Sequence, residues 1–520
     1  MRLIRKISTF PLFGVFSGIF PLIALWNINK SQINTRDVST ALILTILFDV
    51  IFVCLLVCLT KNTAKANYIA LVIFVFFYSY GHVYELISQK QILGFTIGYV
   101  KLLVAFLIAI ICLTLIIIRT KSFSNYATLW LNIVLFVLIV GNLFSIISYN
   151  LKKRAIDTAN TPALEQVIDK NDIETPDIYY IILDAYSRPD VLQDLMGYDD
   201  SEFTVSLLSR GFYIADCSSS NYDGTLSSMT SSLNFEYLPH IGTTDTDDLE
   251  NVNRLINNNI RKELTKYGYT FVTSRGFSSE NDIPNSDIYL DFNSDPKTEY
   301  LIDRVQFTRL YLNTTLFRVF FELYDQNPLK YNFLPNWLFI SSEFNSVMEY
   351  ALYWFNQTNF VFDSVDDFPQ KPGNYFVYAH FNIPHGPYVF DENGEFRYTY
   401  NPVDNVPYYL DQVTYVNKRV IELIDDLIIN STTPPIIILQ SDHGAHVITT
   451  SYDHTKILNA YYLPENAKVN LYETITPVNT FRIILKYVFS QDINLLVDEV
   501  YIKELNDYQF YPNSCDLGEN

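Results

Sequence analysis

The chain has 520 residues, with 36 Lys and Arg against 56 Asp and Glu, and 49% of its residues are hydrophobic. That length exceeds one small core and points to two or three domains. The charge is unevenly shared: residues 1–150 carry 11 Lys and Arg against 3 Asp and Glu, and the remainder 25 against 53. A basic, apolar front joined to an acidic back indicates a membrane part followed by a soluble part. The acidic part lacks the basic footprint that nucleic-acid binding needs, which excludes that class of partner.

Five apolar stretches follow one another in the front: Ile7–Trp26, Ser39–Leu59, Tyr68–Leu86, Gly94–Ile118 and Ala127–Ser148. Each approaches the ~20 residues that a helix needs to cross a hydrocarbon core. Arg2, Arg5 and Lys6 precede the first as they would a signal peptide, but four further stretches favour an uncleaved anchor. With the amino terminus inside, inner segments hold 7 Lys and Arg and outer ones 6, so the positive-inside rule barely chooses. An odd number of spans from a basic amino terminus still places the soluble half outside the cell membrane. Asp49 and Lys101 fall within spans, where ionisable groups are costly enough to invite a functional reading. The simpler alternative is a side chain that snorkels or faces a bundle interior. Cys54, Cys58 and Cys112 read as small buried hydrophobes. Cys217 and Cys515 remain for the soluble part and could pair in an oxidising compartment. No Cys-x-x-Cys occurs, which excludes zinc-finger and thioredoxin motifs.

Residues 151–175 are polar and read as a linker, 176–500 as a catalytic domain and 501–520 as a carboxyl-terminal tail. Asp177–Leu183 is a β-rich run that ends in Asp184. A helix over Val191–Arg210 closes at Gly211, and Gly211–Asp216 reads as a second strand. Polar Cys217–Thr225 leads into Leu226–Asn234, whose small residues suit a tightly packed helix beginning near Thr225. Such an amino terminus is a phosphate seat, although composition alone favours a Ser/Thr-rich surface loop with Thr225 as its cap. A helix over Asn251–Tyr267, strands at Tyr269–Thr273 and Tyr375–Phe381, and a helix over Tyr408–Ile429 continue the alternation. The last helix repeats Leu410, Val413, Asn417, Val420, Ile424 and Leu427 at intervals of three and four. Alternation of this kind implies an α/β domain with a mostly parallel, doubly wound sheet. The aromatic, irregular stretch from about Leu290 to Pro372 reads as an insertion that shapes a substrate rim.

Two later stretches carry chemistry. Tyr378–Tyr388 sets His380 and His385 in a Pro-braced loop after a strand. Ile436–Leu439 is a continuous β-branched run of the kind found in a central parallel strand, and it ends in Ser441-Asp442-His443-Gly444. That places a hard oxygen and an imidazole side by side at a strand's carboxyl end, where open α/β sheets bind ligands. Leu458–Pro464 reads as a further strand and Thr476–Tyr487 as a closing helix. Only 7 histidines occur in the chain, and five of them lie between His380 and His454.

Taken together, Ile182-Leu-Asp184-Ala, Asn221-Tyr-Asp-Gly-Thr225 through Asn234, Pro384-His385-Gly-Pro387, Ser441–Gly444, Asn459–Pro464 and Pro477–Arg482 resemble the sulfatase-like branch of the alkaline phosphatase superfamily. Within it they are similar to membrane-anchored enzymes such as lipoteichoic acid synthases and related phosphotransferases. The resemblance runs from about Asp177 to Tyr487. It implies that Asp184, Thr225, Asp442 and His443 bind one divalent metal, with Mn²⁺ or Mg²⁺ favoured and Zn²⁺ an alternative. It makes Thr225 the nucleophile and puts His385 against the phosphate or leaving group, with His380, Asn221 and His446 as further substrate contacts. A threonine hydroxyl needs such activation to attack at neutral pH.

Thr225-Leu-Ser-Ser-Met lacks the Cys/Ser-x-Pro-x-Arg of true sulfatases, which disfavours sulfate-ester hydrolysis. The Asp-x-x-x-His pair of two-zinc phosphodiesterases is missing as well, since Asp411 is followed by Tyr415. The expectation is therefore a transferase that moves a phospho-alcohol group, such as phosphoglycerol or phosphoethanolamine. A membrane lipid would be the donor, a polysaccharide or glycolipid of the envelope the acceptor, and a covalent phosphothreonine the intermediate. A hydrolase on the same scaffold and a catalytically silent membrane-tethered binding protein are the alternatives.

Overall fold

The computed structural model describes residues 10–30, 35–88, 91–92, 95–96, 98–159, 175–276, 280–292, 307, 310–320, 323, 340–397, 405–446, 453–504, 507–513 and 515. It divides into two compact units, residues 1–157 with 295–347, and residues 158–294 with 348–520.

The first unit holds helices α1 (Phe13–Ile28), α2 (Thr35–Thr60), α3 (Thr63–Ser88), α4 (Tyr99–Arg119) and α5 (Asn125–Ala159). Among the described residues, four segments are long and apolar enough to cross a membrane: Val38–Thr60, Thr63–Ile87, Tyr99–Arg119 and Asn125–Lys152. Helix α1 has 16 residues with Pro21 inside it, short of the full crossing expected from the first apolar stretch. That stretch begins at Ile7, partly outside the described residues. Cys54, Cys58 and Cys112 are exposed instead of buried. A helix built for a hydrocarbon solvent is apolar on its outer face too, so apolarity does not locate a core there. Helix α5 runs past residue 150 to Ala159, so the expected linker starts as helix. The Leu290–Pro372 stretch also divides. Phe307 packs with Leu22, Trp26 and Val38, Leu316 N donates to Phe77 O at 2.9 Å, and Arg318 pairs with Glu85 at 3.2 Å. Phe307 and residues 310–320 thus belong with the apolar helices, whose surfaces cover aromatic side chains that broke the α/β pattern.

The second unit is built on β1 (Ile178–Leu183), a central strand buried at every residue. After it come α6 (Pro189–Met196), α7 (Ser201–Ser209), β2 (Tyr213–Ile214), α8 (Thr225–Asn234), α9 (Asp248–Ile256), α10 (Asn259–Lys266), β3 (Thr270–Ser274), β4 (Ile288–Leu290) and α11 (Ile340–Asp366), which belongs to this unit from Met348 onward. Next are β5 (Tyr375–Phe381), α12 (Val406–Asn430), β6 (Ile436–Gln440), β7 (Asn459–Tyr462), α13 (Pro477–Tyr487), β8 (Glu499–Glu504) and β9 (Asp507–Pro512). The seven-stranded sheet runs β2–β7–β6–β1–β5–β3–β4. Strands β6, β1, β5, β3 and β4 are parallel, and β7 is antiparallel to both of its neighbours.

Alternation along β1 feeds two cores. Ile178, Tyr180 and Ile182 pack with α8, α10 and α13, whereas Tyr179, Ile181 and Leu183 pack with α6, α7 and α12. Layers on both faces make the sheet doubly wound, as expected from the sequence. The expected helix over 191–210 is two helices, because Gly197 caps α6 in the left-handed conformation at φ 70°. The expected helix over 251–267 also splits, with the Asn258 side chain capping α10 at Arg261 N. On α12 the buried stripe includes Tyr409, Gln412 and Val416, and Leu410 is only partly buried. The tail expected from 501 is part of an antiparallel hairpin, β8–β9, beginning at Glu499. Beyond the hairpin, Cys515 forms a disulfide with Cys217, their Cα atoms 4.9 Å apart.

Asp200, at the start of α7, is 4% exposed. Asn417 Nδ2 donates to its Oδ1 at 2.8 Å, and Tyr186 Oη lies 3.1 Å from its Oδ2. Burial pushes this carboxyl up to about 7 against the partial relief of those hydrogen bonds. The native state therefore holds the proton more tightly than the unfolded chain does. The resulting stabilisation is fully present below about pH 4 and is lost as pH rises through about 7. Asp200→Asn cannot ionise, so it should match the wild type near pH 4 and exceed it by up to about 4 kcal/mol above pH 7. Thermal midpoints of the two proteins from pH 4.5 to 8.5 test this. A variant no more stable than the wild type at pH 8 would contradict it.

Candidate active site

Strands β1 and β6 are paired in parallel with Ile182 opposite Gln440, so Asp184 and Asp442 leave adjacent strand ends two residues later. Both are buried, at 3% and 1% exposure. Ala185, next to Asp184, has a left-handed backbone (φ 63°), a conformation that costs a non-glycine residue on the order of 1 kcal/mol. Its N–H donates to Asp442 Oδ1 at 3.1 Å, tying one strand end to the other. Ser441 completes the tie, since its hydroxyl lies 2.7 Å from both Leu183 O and His443 O and accepts from Tyr186 N. Gly444 is needed for packing: a Cβ there would stand 3.0 Å from His454 O and 3.1 Å from Asp453 O.

His443 points into the same space. Its Nδ1 lies 2.8 Å from Gly444 O, an arrangement that puts the proton on Nδ1 and leaves Nε2 bare. Nε2 stands 3.6 Å from Asp184 Oδ1, 3.4 Å from Asp442 Oδ2 and 3.2 Å from Thr225 Oγ1. Asp184 Oδ1 and Asp442 Oδ2 are fully buried without a hydrogen-bond partner among the described residues. Two orphaned carboxylate oxygens facing a bare imidazole nitrogen and a hydroxyl are a donor set that fits one divalent cation. The ligand atoms of Asp184, Asp442 and His443 lie within 4.8 Å of one another.

Thr225 is the first residue of α8, whose ten residues end at Asn234. Ser227, Ser228, Thr230, Ser231 and Ser232 are buried. Their small size lets α8 sit close under α9 and α13, which aims its amino terminus at the strand ends. Ser228 donates to Tyr222 O at 2.8 Å and so braces the approach to Thr225. Asn221 is spent on structure as well. Its Nδ2 donates to Thr476 Oγ1 and Glu499 O and its Oδ1 accepts from Val478 N, so it holds the loop at 1% exposure.

The histidines divide into two roles. His380 is buried beneath the carboxylates, with Nε2 3.5 Å from Asp184 Oδ2 and Nδ1 3.1 Å from Tyr378 Oη. His385, His443 and His446 cluster above them, with His446 ring centroids 4.6 Å from His443 and 5.5 Å from His385. Burial alone would raise the Asp184 carboxyl, but His385, His380 and His443 outweigh it and hold it well below the usual carboxylate range. Burial likewise opposes charge on His380 and His443, and the neighbouring carboxylates overcome it and raise both.

Several contributors were not singled out from the sequence. Gln412, fully buried on α12, donates to Pro384 O and His385 O and accepts from Val389 N and Phe390 N, clamping the loop that carries His385. Tyr409 Oη donates to Ala185 O at 2.9 Å. The negative charge of Asp223 reaches His443. A glutamine within an otherwise apolar helical stripe was the available signal for Gln412. Asp411, which has Tyr415 instead of a histidine four residues on, pairs with Arg397.

A doubly wound, mostly parallel sheet thus brings two carboxylates, an imidazole and a hydroxyl together beside one set of strand ends. Residues 227–484 match the sulfatase family model. His385, Asp442 and His443 fall within the matched span, and Asp184 and Thr225 precede it. No curated protein matches the chain by sequence. Among solved structures, the integral membrane lipooligosaccharide phosphoethanolamine transferase A of Neisseria meningitidis aligns over 94% of this chain and 95% of its own, at 13% identity and a TM-score of 0.41. The periplasmic domain of a phosphoethanolamine transferase from Campylobacter jejuni aligns over 64% and 95%, at 12% identity and 0.36. A periplasmic domain from Escherichia coli, in complex with Zn, aligns over 63% and 86%, at 11% identity and 0.37.

Proposed function

We propose that the protein is a membrane-anchored transferase that moves a phospho-alcohol group from a lipid to an envelope acceptor through a phosphothreonine at residue 225. The observation that carries this reading is the hydroxyl of Thr225, 3.2 Å from His443 Nε2 and at the amino terminus of α8. In the first half-reaction Thr225 Oγ1 bonds to phosphorus and the bond from phosphorus to the lipid alcohol breaks. In the second, an acceptor hydroxyl attacks the same phosphorus and Thr225 is released. Asp184, Asp442, His443 and Thr225 would hold one divalent cation, which when bound lowers the pKa of a hydroxyl and neutralises phosphoryl charge. The unpaired N–H groups at the start of α8 add a fixed positive field beside the phosphoryl oxygens. His385 stands beside the imidazole of His443, ring centroids 6.3 Å apart, and in this reading would protonate the departing alcohol. The Cys217–Cys515 disulfide supports an oxidising, extracytoplasmic setting for this domain.

The test uses the purified full-length protein, a phospholipid labelled in its head group, and rapid acid quenching. Mass spectrometry should find the phospho-alcohol adduct on the peptide containing Thr225, and the label should pass to a glycan acceptor. Release of the label without an acceptor would identify a hydrolase on the same scaffold. An adduct on Ser227 or Ser228, or none at all, would overturn the assignment.

A further inference from the structure

Helix α2 turns two polar residues inward while its neighbours face outward. Leu44, Ile46, Leu47, Phe48 and Val50 are all exposed, whereas Thr45 is 8% and Asp49 0% exposed. Spaced four apart, Thr45 and Asp49 share one helix face. The carboxylate of Asp49 lies flush against α1 at Gly18, where a Cβ would collide with both of its oxygens. Neither oxygen has a hydrogen-bond partner among the described residues. A hydroxyl chain lies nearby. Thr45 Oγ1 is 3.3 Å from Tyr311 Oη, and Tyr311 Oη donates to Tyr78 Oη at 3.1 Å. Val53, Ala70 and Phe74 wall the same cluster with apolar surface.

A carboxylate buried mid-span without a partner is among the costliest arrangements in a membrane unit, and it persists where something positive compensates it. The donors around it are all hard oxygens, which suit s-block cations and disfavour softer metals. One carboxylate supplies a single negative charge and the hydroxyls none, so a monovalent ion leaves the low-dielectric interior neutral, whereas a divalent ion would leave it charged. A lipid headgroup ammonium belongs at the interface, whereas Asp49 stands midway along the Val38–Thr60 segment. We propose that Asp49, Thr45, Tyr78 and Tyr311 form a binding site for a small monovalent metal cation, of which Na⁺ is the probe. The site lies within the membrane unit and is independent of the transfer reaction proposed above.

The experiment follows the thermal midpoint of purified full-length protein in detergent while NaCl replaces N-methylglucamine chloride at constant ionic strength. A site filled to about 100 times its Kd should raise the midpoint saturably, by about 5 °C. Binding of ²²Na⁺ should approach one ion per chain. Asp49→Asn keeps the shape of the side chain and removes its charge, and it should abolish both responses. Tyr311→Phe, which only deletes a hydroxyl, should raise the half-saturating Na⁺ concentration about tenfold and serves if the first variant does not fold. A midpoint indifferent to Na⁺ in the wild type would mean that Asp49 carries a proton instead, and the proposal falls. It falls equally if Asp49→Asn retains the Na⁺ response or Tyr311→Phe leaves half-saturation unchanged.

Discussion

Thr225→Ala should lower turnover by about 10⁴- to 10⁶-fold, the range that follows loss of a catalytic nucleophile, and leave the fold intact. The side chain is partly exposed and its one hydrogen bond among the described residues is to His443 Nε2, so its removal uncovers no buried carbonyl or amide there. The helix start does not depend on it, because Ser228 N bonds to Gly224 O and Gly224 occupies the cap. Thermal midpoint and far-UV circular dichroism should therefore match the wild type. Thr225→Ser keeps the oxygen and should keep measurable turnover. The neighbouring hydroxyls behave differently for geometric reasons. Ser227, two residues on, projects from roughly the opposite side of the helix. Ser228 faces the same side but gives its proton to Tyr222 O. Ser228→Ala removes one of two donors to that carbonyl, Ser220 Oγ at 2.7 Å being the other, and should cost about 0.5–1.5 kcal/mol of stability, with a smaller loss of turnover than Thr225→Ala. Full activity in Thr225→Ala would remove the covalent step from the mechanism.

Where burial and chain direction coincide, the sequence was readable. Ile436–Gln440 and Tyr375–Phe381 are fully buried parallel strands, and their apolar character, broken only at Gln440 and His380, showed at once. The residues just past their ends inherit a location from them, which is why Asp184, Asp442, His443 and His385 could be grouped before any geometry was known. Helix lengths were less readable, since the breaks at Gly197 and Asn258 depend on local capping that competes with an otherwise continuous pattern. Roles set by long-range hydrogen bonds were not readable at all. Asn221 sits four residues before Thr225 and looks like a substrate contact, yet its partners Thr476, Val478 and Glu499 lie more than 250 residues away. The assignment of Phe307 and residues 310–320 to the first unit was hidden for a similar reason. Aromatic residues without periodicity do not reveal which apolar surface they cover.

Asp442→Asn isolates the other large effect. Asp442 Oδ1 accepts from Ala185 N, and an asparagine oxygen can keep that bond. The orphaned Oδ2 would then become an NH₂ group, a donor that repels a cation and cannot ligate it. His443 would also lose the largest of the three carboxylate charges that raise its pKa, those of Asp442, Asp184 and Asp223. The expected outcome is a folded protein with less than a tenth of the wild-type bound metal and turnover reduced by at least about 10³-fold. Metal content by plasma emission spectrometry and turnover are to be measured on the same preparation. Ser441→Ala provides the contrast, because it loosens both strand ends without removing a donor to the cation. It should lower thermal stability and metal affinity together, whereas Asp442→Asn should remove metal with little change in the metal-free protein's stability. Wild-type metal content in Asp442→Asn would mean that the cation lies elsewhere. Wild-type turnover in the absence of bound metal would show that the chemistry does not need it.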